Sequence, residues 1–144
     1  MTFGDQTIQR IQRKIFGLQT VGHSLGLGME RQAKMKAPWT DRTGDTRRAI
    51  HGGADRIPNG TTIYLAHGNK IGSFLEDGTG IHGPIGAPYD IVPVNTQALW
   101  WRGARHPVAA VRKHPGMAPR PIIHPTVESN IQNIKQKVKS YMEG

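Results

Sequence analysis

DQTIQRIQRKIFGLQTVGHSLGLGMERQAKMK, residues 5 to 36, decides the fold. Its apolar residues Ile8, Ile11, Ile15, Leu18, Leu25 and Met29 recur at steps of three and four or their sum, the spacing of one buried helical stripe. Asp5 is placed to cap this helix, and Pro38 stops it by disfavouring helical geometry in the residue before it. At 1.5 Å per residue the helix would run on the order of 45 Å, long enough for one end to project toward a neighbouring chain. Gly17, Gly22, Gly26 and Gly28 each weaken a helix by roughly 0.5–1 kcal/mol relative to alanine, which implies close packing or a bend. Gly22 and Gly26 form a GxxxG, a motif of little weight by itself in a chain without a membrane span.

At the other end Val127, Ile131, Ile134, Val138 and Tyr141 share a face, with Pro125 placed at the first helical position of a helix over about 125–142. Lys135, Lys137 and Lys139 suit its C-terminal end. Between the helices lie short β-prone runs, Thr61 to Leu65, Asp90 to Val92, Ala98 to Trp101 and Val108 to Val111, which are expected to pair. The fold class is therefore α+β: an antiparallel sheet of about four or five strands, within residues 44–116, flanked by the two helices in a single domain over 1–144. From Asp77 to Pro88, Gly78, Gly80, Gly83, Gly86, Pro84 and Pro88 leave little regular structure, so a protruding, mobile loop is expected.

Composition narrows the classes. The 144 residues suit one domain, and an apolar fraction of 36% beside 18 Gly and 10 Pro suggests a small core completed by neighbouring chains. No cysteine means no disulfide framework and no thiolate metal site. The start, Met1 to Gln6, has neither the basic residues nor the apolar run of a signal peptide, and no segment approaches membrane-spanning length, so a soluble chain that is not exported is expected. A net charge of +9 admits a polyanionic neighbour or simple solubility.

Catalytic chemistry finds little footing. His23, His51, His67, His82, His106, His114 and His124 form no HxxxH or HxH pair. Ser24, Ser73, Ser129 and Ser140 lie in no GxSxG-like context. Glu76 and Asp77 are neighbours that point different ways on any regular element, and Asp77-Gly78-Thr79-Gly80 lacks the Lys-Ser or Lys-Thr of a phosphate loop. The basic residues are dispersed, with no RNP-like motif, zinc finger or evident helix-turn-helix, which leaves non-specific phosphate contact but no sequence readout. On a strand Trp101 would join Leu99 on one face and Trp100 would take the other, so one indole is expected inside and the other against a helix or another subunit.

Five stretches occur in order between the helices: Ala37-Pro38; Thr43-Gly44-Asp45 followed by Arg47; Phe74-Leu75-Glu76-Asp77-Gly78-Thr79; Val111-Arg112-Lys113-His114-Pro115-Gly116; and Pro119-Arg120-Pro121-Ile122-Ile123-His124-Pro125. The set, covering about Lys34 to Val127, resembles the tail-completion and head–tail joining (neck) proteins of long-tailed lambdoid-type phages. The pieces read as scaffold: Gly44 and Gly78 for turn conformations, Pro115-Gly116 to end a strand, Pro121 and Pro125 for an extended approach to the last helix. The chain departs from that pattern at Thr46, where a leucine commonly follows the Gly-Asp step, and at Ile122, where a phenylalanine is usual; the second change keeps apolar character, and the first leaves open the register of the strand expected at Thr46.

The resemblance implies a structural subunit without enzymatic activity or cofactor, located in the neck or tail of the virion and assembled in the host bacterial cytoplasm. Its implied partners are copies of itself in a sixfold ring, the head connector or adaptor, the tail tube or tail terminator, and genome DNA passing through the lumen, with no membrane. Trp100, Trp101, Gly78, Thr79, Ile81, Ile85 and Tyr89 are the candidate subunit interface. Arg42, Arg47, Arg48, Arg102, Arg105, Arg112 and Lys113 are the candidate DNA-facing residues. No catalytic, cofactor-binding or metal-binding residue is expected. The alternatives are a small basic protein that binds nucleic acid without sequence preference, marked by salt-sensitive binding of the free monomer, and a hydrolase whose site is assembled only in three dimensions, marked by a deep pocket of convergent perturbed side chains.

Overall fold

The first helix, α1 (Phe3–Lys36), starts three residues earlier than Asp5 as a cap would require. Thr2 is the N-cap: its hydroxyl accepts from the Asp5 N–H at 3.2 Å, and the Asp5 carboxylate accepts from the Thr2 N–H at 2.8 Å, a reciprocal capping box. The Thr2 hydroxyl and amide hold the Asp5 carboxyl below its usual range. A computed structural model describes all residues, 1–144, and they form two compact units: Met1–Gly72 with Pro121–Gly144, and Ser73–Arg120.

In the first unit a helical turn, α2 (Asp45–Arg48), precedes a hairpin of β1 (Ile50–Ile57) and β2 (Gly60–His67), paired from Ile50↔His67 to Ile57↔Gly60. Pro58 and Asn59 make its two-residue turn, with Asn59 at φ 61, a conformation asparagine tolerates better than most residues. The hairpin lies on α1 at glycines. A Cβ on Gly26 would sit 2.6 Å from the Cα of Gly53 and closer still to its backbone N and O, so helix and strand touch backbone to backbone. One turn earlier, a Cβ on Gly22 would meet Ile63, Ala54 and Thr61 at 3.0–3.1 Å. The GxxxG is thus the contact ridge between helix and hairpin. Glu30, one turn on from Gly26, accepts from the Gly52 N–H at 3.0 Å and pairs with Lys34 at 2.6 Å. These two partners, Lys34 first, hold the Glu30 carboxyl below its ordinary range.

The core is Met29, Ala33, Ile50, Leu65 and Ile122, with Ile63, Trp39, Val127 and Ile134 packed around it. Each large aliphatic side chain so buried contributes about 1.5–3 kcal/mol. The last helix, α4 (Ile123–Glu143), begins two residues before Pro125, with Ile122 as N-cap. Pro125 is harmless at the third position, because N–H groups of a first turn have no intrahelical acceptor. Toward α1, α4 offers a polar clasp, Asn130 Nδ2 to Gln32 Oε1 at 2.9 Å and Gln32 Nε2 to Ser129 Oγ at 3.2 Å, while Lys14 Nζ donates to the Met142 carbonyl at 2.6 Å. Arg47 fastens the exit from α1: it pairs with Asp41 at 2.6 Å and donates to the carbonyls of Lys34 and of Trp39, the latter at 3.2 Å.

The second unit follows from α3 (Lys70–Asp77) and holds a 3₁₀ turn (Gly80–His82), β3 (Tyr89–Ile91) and β4 (Val111–His114). Its framework is two loops held edge to edge. The Thr79 N–H donates to the Met117 carbonyl and the Ile81 N–H to the Pro115 carbonyl, both at 2.9 Å, and the Met117 N–H returns to Thr79 Oγ1 at 2.9 Å. Gly80 (φ 62) and Gly116 (φ 89) face each other so closely that a Cβ on Gly116 would lie 2.7 Å from the Gly80 Cα. The Arg120 N–H closes the unit on the Leu75 carbonyl at 2.6 Å.

Three expectations are corrected here. The single sheet of four or five strands does not form; the chain has two separate two-stranded sheets, β1–β2 and β3–β4. The β3–β4 pair is only three and four residues long with a register slip between Tyr89 and Ile91, and the 98–101 and 108–111 runs meet at one bridge, Leu99↔Val108, next to Pro107, which donates no hydrogen bond. Second, the buried stripe of α1 shifts toward its C-terminal part: Ile8 and Ile11 are 56% and 49% exposed, Ile15, Leu18 and Leu25 are half-buried, and Gly22, Gly26, Met29 and Ala33 are buried. Third, Thr46 lies in the α2 turn and not on a strand, because Gly44 at φ 79 leads straight into helix.

Candidate functional site

Residues 73–120 hold an apolar hollow and both exposed tryptophans of the pair at 100 and 101. Ser73 to Asp77 end α3, Gly78 (φ 78) turns the chain, and the Thr79–Ile81 segment is fixed to Pro115 and Met117 as above. That anchoring leaves Gly83 to Pro88 to curl back as an irregular arc, so the expected loop over 77–88 is half anchored, with a 3₁₀ turn in it. The arc and the end of α3 enclose a half-open hollow of about 510 Å³, walled by Phe74, Pro84, Ile85, Ala87, Pro88 and Tyr89 and floored by Gly78, Thr79 and Gly80. Its walls are overwhelmingly apolar; Asp77 stands at the rim with no ion pair. Tyr89 is held in place by its ring against His114, centroids 5.4 Å apart, and by its hydroxyl 3.5 Å from Thr79 Oγ1.

Four of the seven candidate interface residues, Gly78, Thr79, Ile85 and Tyr89, come together in this hollow. Ile81 is exposed with its amide spent on Pro115. Trp100 and Trp101 lie outside it, 67% and 50% exposed, so the expectation that one indole packs inside is corrected: with only the Leu99↔Val108 bridge there is no sheet face for an indole to cover. Trp101 opens a tight turn to Ala104, closed by the Ala104 N–H on the Trp101 carbonyl at 2.9 Å with Gly103 at φ 98, and Trp100 lies just before it. Phe74 and Asp77, which complete the hollow, were missed as site residues. Their signal was a hydrophobic–acidic pair one turn apart at the end of a short helix, directly before the glycine run.

The seven candidate DNA-facing residues are scattered. Arg47 is engaged by Asp41 and two carbonyls and lies 5.9 Å from the Trp39 ring centroid. Arg48 pairs with Asp45 on the same turn. Arg112 pairs with Asp90 at 2.7 Å, and the Lys113 N–H donates to the same carboxylate at 2.8 Å. That amide, and then Arg112, keep the Asp90 carboxyl below its usual range. Arg42, Arg102 and Arg105 are exposed without an ion pair, the last two on the turn that carries the tryptophans. No three His, Asp or Glu side chains converge as metal ligands would. No helix is long and apolar enough to cross a membrane. Comparison with family models, with curated proteins and with solved structures yields no match.

Proposed function

We propose that this chain is a structural subunit of a tailed-phage neck, a tail-completion or head–tail joining protein that acts by ring assembly and not by chemistry. The observation that carries the reading is the set of large apolar side chains left bare in residues 73–120: Phe74, Ile81, Ile85, Val92, Val94, Trp100 and Trp101. Seven such side chains within 48 residues are apolar surface that a covering chain would bury, with Phe74 and Ile85 lining the same hollow. Two of the stretches that carry the resemblance to neck proteins, 74–79 and 111–116, end side by side, Thr79 bonding to Met117 and Pro115 accepting from Ile81. On this reading the ring, sixfold by the resemblance, stands between head connector and tail, and the +9 charge suits a wall beside DNA in transit.

Removing the chain from the phage that encodes it provides the test. Finished heads and finished tails should accumulate unjoined, and supplying the chain in trans should restore infectious particles. Particles that join and infect normally without it would sink the reading. A second reading, binding to nucleic acid without sequence preference, draws on Arg102 and Arg105 beside two exposed indoles, since aromatic faces stack bases while cations meet phosphates. Tight binding of monomeric chain to single-stranded DNA that collapses with added salt would favour it.

A further inference from the structure

The exposed tryptophan turn and the apolar hollow belong to the same unit, yet neither covers the other: Trp100 and Trp101 stay 67% and 50% exposed, and neither lines the hollow. We infer that they are the two halves of one head-to-tail contact, in which the Trp100–Arg105 turn of one copy seats its indoles against Phe74, Ile85 and Tyr89 of the next, with Arg102 meeting Asp77. The inference rests on the assembly reading above and names the partner and the geometry of that surface.

Size and charge agree on this occupant. A hollow of about 510 Å³ accepts bulky aromatic side chains, and its walls offer apolar carbon with few groups that need a polar partner. The one carboxylate at its rim, Asp77, has no ion pair, and the turn that presents the indoles carries two unpaired cations, Arg102 and Arg105. Each tryptophan buries about 150–250 Å² when covered, so the two indoles supply an apolar centre of about 300–500 Å² at most, and a stable interface of roughly 1,000 Å² also needs the flanks of the turn and of the hollow to meet. A knob and a hole at different places on one chain can pair head to tail, and unless two copies engage each other reciprocally the contact propagates into a closed ring or a filament. That is the architecture a ring subunit needs, and the folded monomer offers no internal route to cover these groups.

The chain contains no cysteine, so any disulfide reports only engineered positions. Arg105→Cys and Ala87→Cys both replace exposed side chains beside the contact and leave the indoles, Phe74, Ile85 and Tyr89 in place, and a circular-dichroism spectrum matching the parent checks that each variant folds. Under mild oxidation at tens of micromolar, an equal mixture of the two variants should give a covalent dimer of one chain of each kind. Either variant alone should give little dimer, and the chain carrying both substitutions should give a covalent ladder. In a second arm, Arg102→Asp should weaken association measured by sedimentation by about tenfold, and adding Asp77→Arg should restore it, as for a close charge pair at an interface rim. Homodimers from either variant, or a mixture that stays monomeric while parent chain sediments as oligomer, would overturn the inference and leave the neck reading standing. A parent chain that is monomeric at these concentrations and binds single-stranded DNA through the tryptophan turn would also overturn it, and the particle lacking the chain would then decide the neck reading separately.

Discussion

Around Gly26 and around Gly80 the chain brings two backbones into contact, but the surroundings differ. At Gly26 a long helix meets a hairpin, both with their own hydrogen bonds satisfied, and glycine serves only to remove a side chain between them. At Gly80 neither partner is regular; the bonds to Pro115 and Met117 are the structure, and glycine must supply both room and a left-handed φ. The first arrangement buries Met29, Ala33, Ile50 and Leu65 in one core, whereas the second buries Leu75 and leaves Phe74, Ile85, Trp100 and Trp101 bare. A unit that fixes its backbone by loop-to-loop bonds buries few apolar residues in its own interior.

The sharpest way to break this comparison is to fill each close approach. Gly26→Val should cost about 4 kcal/mol in urea unfolding, because the clash is with Gly53 backbone that cannot turn aside. Retention of parental stability would mean that helix and hairpin do not touch as described. Gly80→Ala should cost less, about 3 kcal/mol, since it combines a left-handed strain of about 1–2 kcal/mol with contact against Pro115 and Gly116. Its effect should be local: amide exchange of Thr79, Ile81 and Met117 should accelerate while that of the β1–β2 hairpin stays slow.

Smaller effects sharpen the account of the first unit. Arg47→Ala should lower its stability by about 2 kcal/mol through loss of the Asp41 pair and two carbonyl contacts, and Arg47→Lys should restore little, because a single ammonium cannot reach all three acceptors. Glu30 carries a pH dependence. Its carboxyl is depressed in the folded chain by Lys34 and the Gly52 amide, so its stabilisation is present in full above the ordinary glutamate value of 4.5 and is lost as pH falls through the lower folded value. Glu30→Gln should therefore cost about 1 kcal/mol or less at neutral pH, and the gap to the parent should close on acidification in a denaturation series from pH 7 to pH 3. Gly28→Ala meets nothing within 4 Å, so it should stabilise by about 0.5–1 kcal/mol through helix propensity alone, a gain readable as a higher melting temperature.

What was legible in the sequence follows from the same contrast. The three-four spacing located α1 and α4 within three residues at their N-terminal ends, because periodic apolar positions report a helix wherever it packs. Periodicity was silent on how far the covering layer extends, so Ile8 and Ile11 were assigned to a buried face that begins only near Ile15. β1 escaped notice because His51-Gly52-Gly53-Ala54 lacks alternation; its glycines are there to admit α1, and a contact of backbone on backbone leaves no hydrophobic pattern. Residues 89–114 carried β-branched and aromatic residues in plenty, yet propensity without long partners gives bridges and short pairs instead of a sheet. Within the hollow, Gly78, Thr79, Ile85 and Tyr89 were legible from one loop, while Phe74 and Asp77 join them through the geometry of the α3 end.

The central claim, that residues 73–120 form an assembly surface of a phage neck, is tested most directly by imaging the intact particle at a resolution that traces the chain. The account predicts a ring of this chain at the head-proximal end of the tail, with the Trp100–Arg105 turn of each copy seated at Phe74, Ile85 and Tyr89 of its neighbour. A particle whose neck is fully traced without this chain, or a ring in which those side chains face solvent, would contradict it.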